Sequence, residues 1–230
     1  MFAREIPLIH HPKINLCFYH PKFNKSRLFF HGMAAPSIPA LKQEYLHCQR
    51  CPELCKSRTQ VVFGVGNEKA DVLLIGEAPG KSEDQKGIPF CGMSGKILDQ
   101  LLATINLARE DIFITNTILC RPEDNRNPTA EEVNNCRERL DQLLKIMQPK
   151  VIVTIGNFAT ERILGKKGIS SLRGKVFDYQ NGSKVIPVIH PASYLYSGRN
   201  PELFEQMKQD FLKISEIISI KKRQKSLAEF

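Results

Sequence analysis

Tryptophan is absent from the 230 residues, and nowhere do about 18 uncharged apolar residues run together. The apolar stretches, such as Val72–Ile75 and Val151–Ile155, are the length of strands, so no membrane span is expected. Seven cysteines are too few for a disulfide scaffold. The first residues hold no compact apolar segment behind a basic start, because His, Pro and Lys interrupt every candidate. A reducing, cytoplasmic setting follows as the expectation, with the thiols available to a metal. Also missing are G-x-G-x-x-G and a complete phosphate-binding loop. Gly80-Lys81-Ser82 ends like one, but Ile75 stands where its first glycine belongs, so neither a dinucleotide site nor a nucleoside triphosphatase is supported.

What is present is ordinary globular composition, 42% hydrophobic and 25% charged, enough for one domain with a well-buried core. The net charge of +9 is unevenly spread. Residues 1–40 carry five Lys/Arg against one Glu and residues 221–230 four against one, which leaves only +2 between them. Charge alone therefore points only modestly to nucleic acid. Residues 1–40 hold four of the six His and several Pro without an apolar period. They read as a flexible N-terminal extension, with Met33 as an alternative start, and residues 221–230 read as a basic tail. The domain is expected over residues 41–220.

Within it a strand–helix alternation is legible. Asp71–Glu77, Ile112–Leu119, Val151–Gly156 and Lys184–His190 are β-branched runs suited to strands buried on both faces of a parallel sheet. Helical periods occupy Ser94–Ile105, Asn157–Leu164 and Pro201–Ile217. Another spans Thr129–Met147, where Thr129 and Glu132 form a capping box. The expected class is α/β: a three-layer α/β/α domain around a central four-stranded, mainly parallel sheet with right-handed crossovers. Ligands of such sheets bind beyond the carboxyl ends of the strands. Glu77 with Ala78-Pro79-Gly80, Asn116, Gly156-Asn157 and His190-Pro191 all fall there, so a carboxylate, an amide and an imidazole should converge on one rim. Each alone has an ordinary explanation, as a solvated acid, a satisfied core amide or a structural histidine. Their convergence is what points to chemistry.

Cys48-Gln-Arg-Cys51 is a C-x2-C bite, and Cys120 and Cys136 follow at a strand end and inside a helix. Four thiolates fit either tetrahedral zinc or an iron–sulfur cluster. The second pair departs from zinc-ribbon spacing, and a bulkier cluster tolerates ligands from separated elements, so the spacing leans towards iron–sulfur. A thioredoxin-like pair is disfavoured because no strand precedes the motif and no Trp flanks it. Cys55 is the credible substitute ligand; Cys17 and Cys91 have no assignment.

Taken in order behind the C-x2-C motif and RTQVVFGVG, the segments GEAPGKSED, GIPFCGMSGKILDQLL, ITNTILCRPEDNRNPTAEE and VIHPASYL resemble the family 4 uracil-DNA glycosylases over about residues 45–215. The resemblance implies that Cys48, Cys51, Cys120 and Cys136 hold a structural 4Fe-4S cluster. It implies that Glu77 and His190 are catalytic and that Phe90 stacks on uracil. It further implies that Asn116 reads the edge of the base, and the tight turn at Pro79-Gly80 is expected to point the amides of Ala78 and Gly80 at the ligand. The implied partner is uracil-containing DNA, single- or double-stranded, which would associate the protein with the nucleoid; a monomer is the default expectation, and no membrane partner is expected. DNA grip is expected from the loop after His190, with Tyr194, Leu195 or Tyr196 as a wedge and Arg199 on a phosphate. The rival expectations are a non-catalytic DNA-binding protein of the same fold, an iron–sulfur electron carrier and a zinc module.

Overall fold

The structure is a computed structural model that describes residues 36–228, with side chains as far as residue 219. Residues 1–35 of the expected extension, including Cys17 and Met33, lie outside the described residues. Residues from Pro36 onward form one compact unit. Among the described residues no helix is long and apolar enough to cross a membrane.

The first helix, α1 (Ile38–Leu46), starts where Ser37 accepts a hydrogen bond from the Ala40 N–H, and it buries Ile38, Leu41 and Tyr45 along one face. A short α2 (Pro52–Ser57) begins with proline just inside Cys51. Then come β1 (Val65–Gly66), β2 (Val72–Gly76), α3 (Lys81–Lys86), α4 (Met93–Ala103) and β3 (Ile112–Asn116). The helical period after Thr129 is broken into two pieces, α5 (Ala130–Asn135) and α6 (Arg137–Met147), with Cys136 at the joint and the capping box present as expected. The chain continues through β4 (Val151–Ile155), α7 (Gly156–Leu164), α8 (Ile169–Leu172), β5 (Phe177–Asp178), β6 (Lys184–Val188) and α9 (Ala192–Tyr196). The last helix, α10, runs Pro201–Ala228, well past the apolar period that ends at Ile217.

The sheet has the order β1-β3-β2-β4-β6-β5. The four anticipated strands form its parallel centre, and β1 and β5 pair antiparallel at its edges. Two residues each, these edge strands are too short to leave a periodicity in the sequence. Alternate residues of the central strands face opposite layers, as a pleated backbone requires. Leu73, Ile75, Phe113, Ile152 and Val185 pack with Leu140, Leu143 and Ile163. Val72, Leu74, Ile114, Val153 and Ile186 pack with Leu98, Leu101, Met207 and Phe211. The three layers follow from that division.

One buried acid ties the N-terminal segment to this framework. Asp84 on α3 is 2% exposed, and its carboxylate accepts the Thr59 N–H at 2.9 and 3.0 Å and the Gln60 N–H at 3.4 Å. Asp84→Ala should lower unfolding free energy by about 1.5–3 kcal/mol, the range for charge-assisted bonds whose loss strands buried donors. A urea denaturation midpoint no different from wild type would contradict this.

Candidate active site and thiol centre

The parallel register between β2 and β3 sets Gly76 directly opposite Asn116. A Cβ on Gly76 would lie 2.3 Å from Oδ1 of Asn116 and 2.7 Å from the Phe90 ring. Only glycine permits the amide and the ring to meet there. Thr117 holds the Gly76 carbonyl twice, through its hydroxyl (2.9 Å) and its N–H (2.8 Å), and Ile118 N–H holds the Glu77 carbonyl at 3.1 Å. The exit of β2 is thus locked to the exit of β3. On the other side, Gly156 packs against His190: a Cβ there would be 3.6 Å from the histidine Cβ.

Glu77, Ala78, Pro79 and Gly80 line a cavity of about 290 Å³ together with His190. Pro122, Asn125 and Arg126, from the segment after Cys120, and Tyr196 complete it. Asn116 and Phe90 are not among its lining residues and are buried, at 1% and 3% exposure. Phe90 stacks on His190 with ring centroids 5.7 Å apart and planes inclined 29°. The Asn116 Nδ2 is buried without any acceptor, which is unusual for a polar atom in a folded interior. Glu77 and His190 thus share the cavity, while Asn116 is linked to it through Gly76 and the Phe90 ring, which stacks on His190.

Burial pushes the Glu77 carboxyl above its ordinary value of 4.5 and pulls His190 from 6.5 down to about 4. The imidazole is therefore neutral near pH 7. Its Nδ1 accepts the Ala192 N–H at 3.1 Å, which leaves the proton on Nε2 as a free donor.

Several participants were not singled out in the sequence. Arg126 lines the cavity while pairing with Glu132 through both guanidinium nitrogens, at 2.6 and 2.9 Å. The signal available was its place in the RPEDNR segment. Glu83 accepts hydrogen bonds from the backbone of Gly80 and of Phe90, joining the two loops that carry the site. Of the three wedge candidates only Tyr196 stands free, at 89% exposure. Tyr194 packs on Phe204, and Leu195 packs against the core.

Cys120 and Cys136 are buried in one apolar cluster against which Cys48 and Cys51 pack. The thiols feel one another electrostatically: Cys136 and Cys48 both act on Cys51 and on Cys120. Burial pushes the Cys120 thiol up to about 12 and raises Cys51 as well. Donors nevertheless point at the sulfurs, Arg58 at 2.8 Å from Cys120 Sγ and Asn135 Nδ2 at 3.5 Å from Cys51 Sγ. Such donors are what a thiolate centre uses to hold its charge. Among the described residues no three His, Cys, Asp or Glu side chains are arranged to grip a single metal ion. Cys48 follows α1, Cys51 immediately precedes α2, Cys120 follows β3 and Cys136 stands at the α5–α6 joint, so the four thiols come from separated elements. Cys55 turns its thiol to the Cys48 carbonyl at 3.6 Å.

An α/β protein with a cavity holding a carboxylate and an imidazole at the carboxyl ends of a parallel sheet, and with four cysteines packed in one apolar cluster, is the class these observations define. Residues 63–212 match the model of the uracil DNA glycosylase superfamily, and the chain belongs to that family. It is 43% identical over 202 residues to the Type-4 uracil-DNA glycosylase of Archaeoglobus fulgidus, covering 84% of this chain and 98% of that one. It is 40% identical over 196 residues to the Type-4 uracil-DNA glycosylase of Sulfurisphaera tokodaii, covering 81% and 87%. To that of Thermotoga maritima it is 41% identical over 173 residues, covering 74% and 89%.

The depressed His190 has a measurable signature. Stability contributed by keeping it neutral is fully present above pH 6.5, the ordinary value, and is lost as pH falls towards about 4. Nitrogen-15 NMR should show a neutral ring protonated on Nε2 down to that range. A ring titrating near 6.5 would overturn the electrostatic description of the site.

Proposed function

We propose that this chain removes uracil from DNA, hydrolysing the N-glycosidic bond to leave an abasic site, and that residues 41–220 carry the activity as a monomer in the cytoplasm. The observation that carries the reading is the unpaired, buried Nδ2 of Asn116 beside Glu77 and His190. It is a donor kept for a ligand.

A base inside a duplex cannot reach such an atom, so the nucleotide must be flipped out of the stack. The Asn116 amide would donate through Nδ2 to a uracil carbonyl and accept the N3–H at Oδ1. Cytosine presents an amino group and no N3–H, which leaves the amide mispaired in a dry site, a strong form of discrimination. The ring of Phe90 would replace part of the lost stacking, worth about 1–3 kcal/mol per base. Tyr196, exposed at the mouth, is the side chain best placed to fill the gap left in the duplex.

Bond cleavage produces a uracil anion and a sugar with oxocarbenium character. The Nε2–H of neutral His190 would donate to the departing base oxygen, and the amides of Ala78 and Gly80 would add fixed dipoles. Glu77 would orient and deprotonate the attacking water, and its charge would favour the cationic sugar. Cys48, Cys51, Cys120 and Cys136 would hold a 4Fe-4S cluster. When bound it supplies a covalent staple between the N-terminal helices, the exit of β3 and the α5–α6 joint, with no redox step in the hydrolysis.

Three measurements test these assignments. Glu77→Gln should lower the rate of uracil release from a uracil-containing oligonucleotide by about 10²–10⁴, with DNA affinity nearly unchanged; equal activity removes Glu77 from the mechanism. Burial raises the Glu77 carboxyl, so its base form accumulates only above the ordinary carboxylate value of 4.5. The acid limb of kcat/KM should lie above that value and vanish in Glu77→Gln. For the cluster, Cys136→Ser should lower the melting temperature first and activity second. A variant that keeps wild-type stability while losing all excision would argue against a staple.

A further inference from the structure

Arg139 is the largest side chain to be fully buried, at 0% exposure, and it is placed where a cation is hardest to keep. It projects from α6 three residues after Cys136. Its Nη1 donates to the Thr115 hydroxyl at 3.2 Å, and its Nη2 donates to the carbonyls of Asn116 at 2.6 Å and Thr117 at 3.2 Å. It lies over the Phe63 ring at 6.0 Å. Burial pulls its pKa down to about 10, still far above neutrality. The Cys136 and Cys120 thiols and the Tyr45 hydroxyl act to raise it and Arg162 acts to lower it, and every oxygen that accepts from it, a hydroxyl and two carbonyls, is uncharged. Its Nε has no acceptor. A buried guanidinium normally meets a carboxylate, because an uncompensated internal charge is costly.

The counter-charge is supplied if the four thiols carry the iron–sulfur cluster proposed above, since four thiolates around such a core form a net anion. We propose that Arg139 couples the four-cysteine centre to the uracil site: its charge is balanced by the anionic cluster, and its Nη2 holds the backbone of Asn116, the residue that reads the base. Arg139 is thus a positioning residue, and the proposal rests on the cluster reading. It gives a reason for placing the thiol centre at the exit of β3. The cluster and the specificity amide then share one cation.

The test compares wild type, Arg139→Met and Arg139→Lys as cluster-loaded proteins. Methionine fills the space without charge, while lysine keeps the charge but cannot reach three oxygen atoms with a guanidinium fork. Arg139→Met should shift the cluster's reduction potential to more negative values and speed cluster loss to a chelator, followed by visible absorbance. Arg139→Lys should stay close to wild type on both counts. Both variants should lose kcat/KM for uracil release by about 10–100-fold, the usual cost of removing an outer support of a site. An unshifted potential and unchanged cluster loss in Arg139→Met overturn the charge pairing, and full uracil release by Arg139→Lys overturns the positioning role. A wild type that releases no uracil is a failure of the functional reading instead. The two are separable because the potential and chelation measurements need no substrate.

Discussion

The pairing of Gly76 with Asn116 is the constraint on which the site is built. Both residues are the last of their strands, so the register that buries Val72, Leu73, Leu74 and Ile75 also determines which side chains leave the sheet together. A slip of one residue would send Asn116 to the other layer and separate it from Glu77. Burial on both faces makes that slip prohibitively costly. The hydrophobic sheet therefore performs a positioning task for polar groups that contribute nothing to its own stability.

Around this register the loops are held by hydrogen bonds rather than by packing alone. Phe90 sits at φ 52°, a left-handed conformation uncommon for a bulky residue. The Arg109 guanidinium grips the carbonyls of Pro89 and Phe90 and is itself held by Asp99 at 2.7 Å. Gly95 admits the Phe90 carbonyl so closely that a Cβ would lie 1.6 Å from it. Glu83 then links the same turn to Gly80. A strained turn secured by its neighbours is the form in which a site is preorganised before the ligand arrives.

On the other side of the same rim, the thiols and Arg139 introduce charge into an apolar layer. Arg58 and Asn135 address sulfurs, while Arg139 addresses the backbone of β3. Cys48 and Cys51, at the ends of the N-terminal helices, pack against the same apolar cluster that buries Cys120 and Cys136. The packing of that corner and the placement of Asn116 are then joined through Arg139, which holds the Asn116 carbonyl.

Strand-sized β-branched runs, helical periods and the capping box at Thr129 were enough to place the α/β architecture and its rim, because alternation and period depend on neighbours a few residues apart. The order of motifs likewise named Glu77, Phe90, Asn116, His190 and the four cysteines as a set. The two-residue edge strands were illegible, being recruited by partners already in place rather than by their own pattern. The joint at Cys136 was hidden inside an unbroken helical period. Sequence also gave no hint that Arg139 would be buried without a carboxylate, that Arg126 would line the cavity, or that Tyr196 alone would stand free. Those facts depend on which residues distant in the chain come within a few ångströms of one another. Only the closing of the three layers settles such contacts, since burial and hydrogen-bond partnership belong to the assembled surroundings of a side chain and not to its neighbours along the backbone.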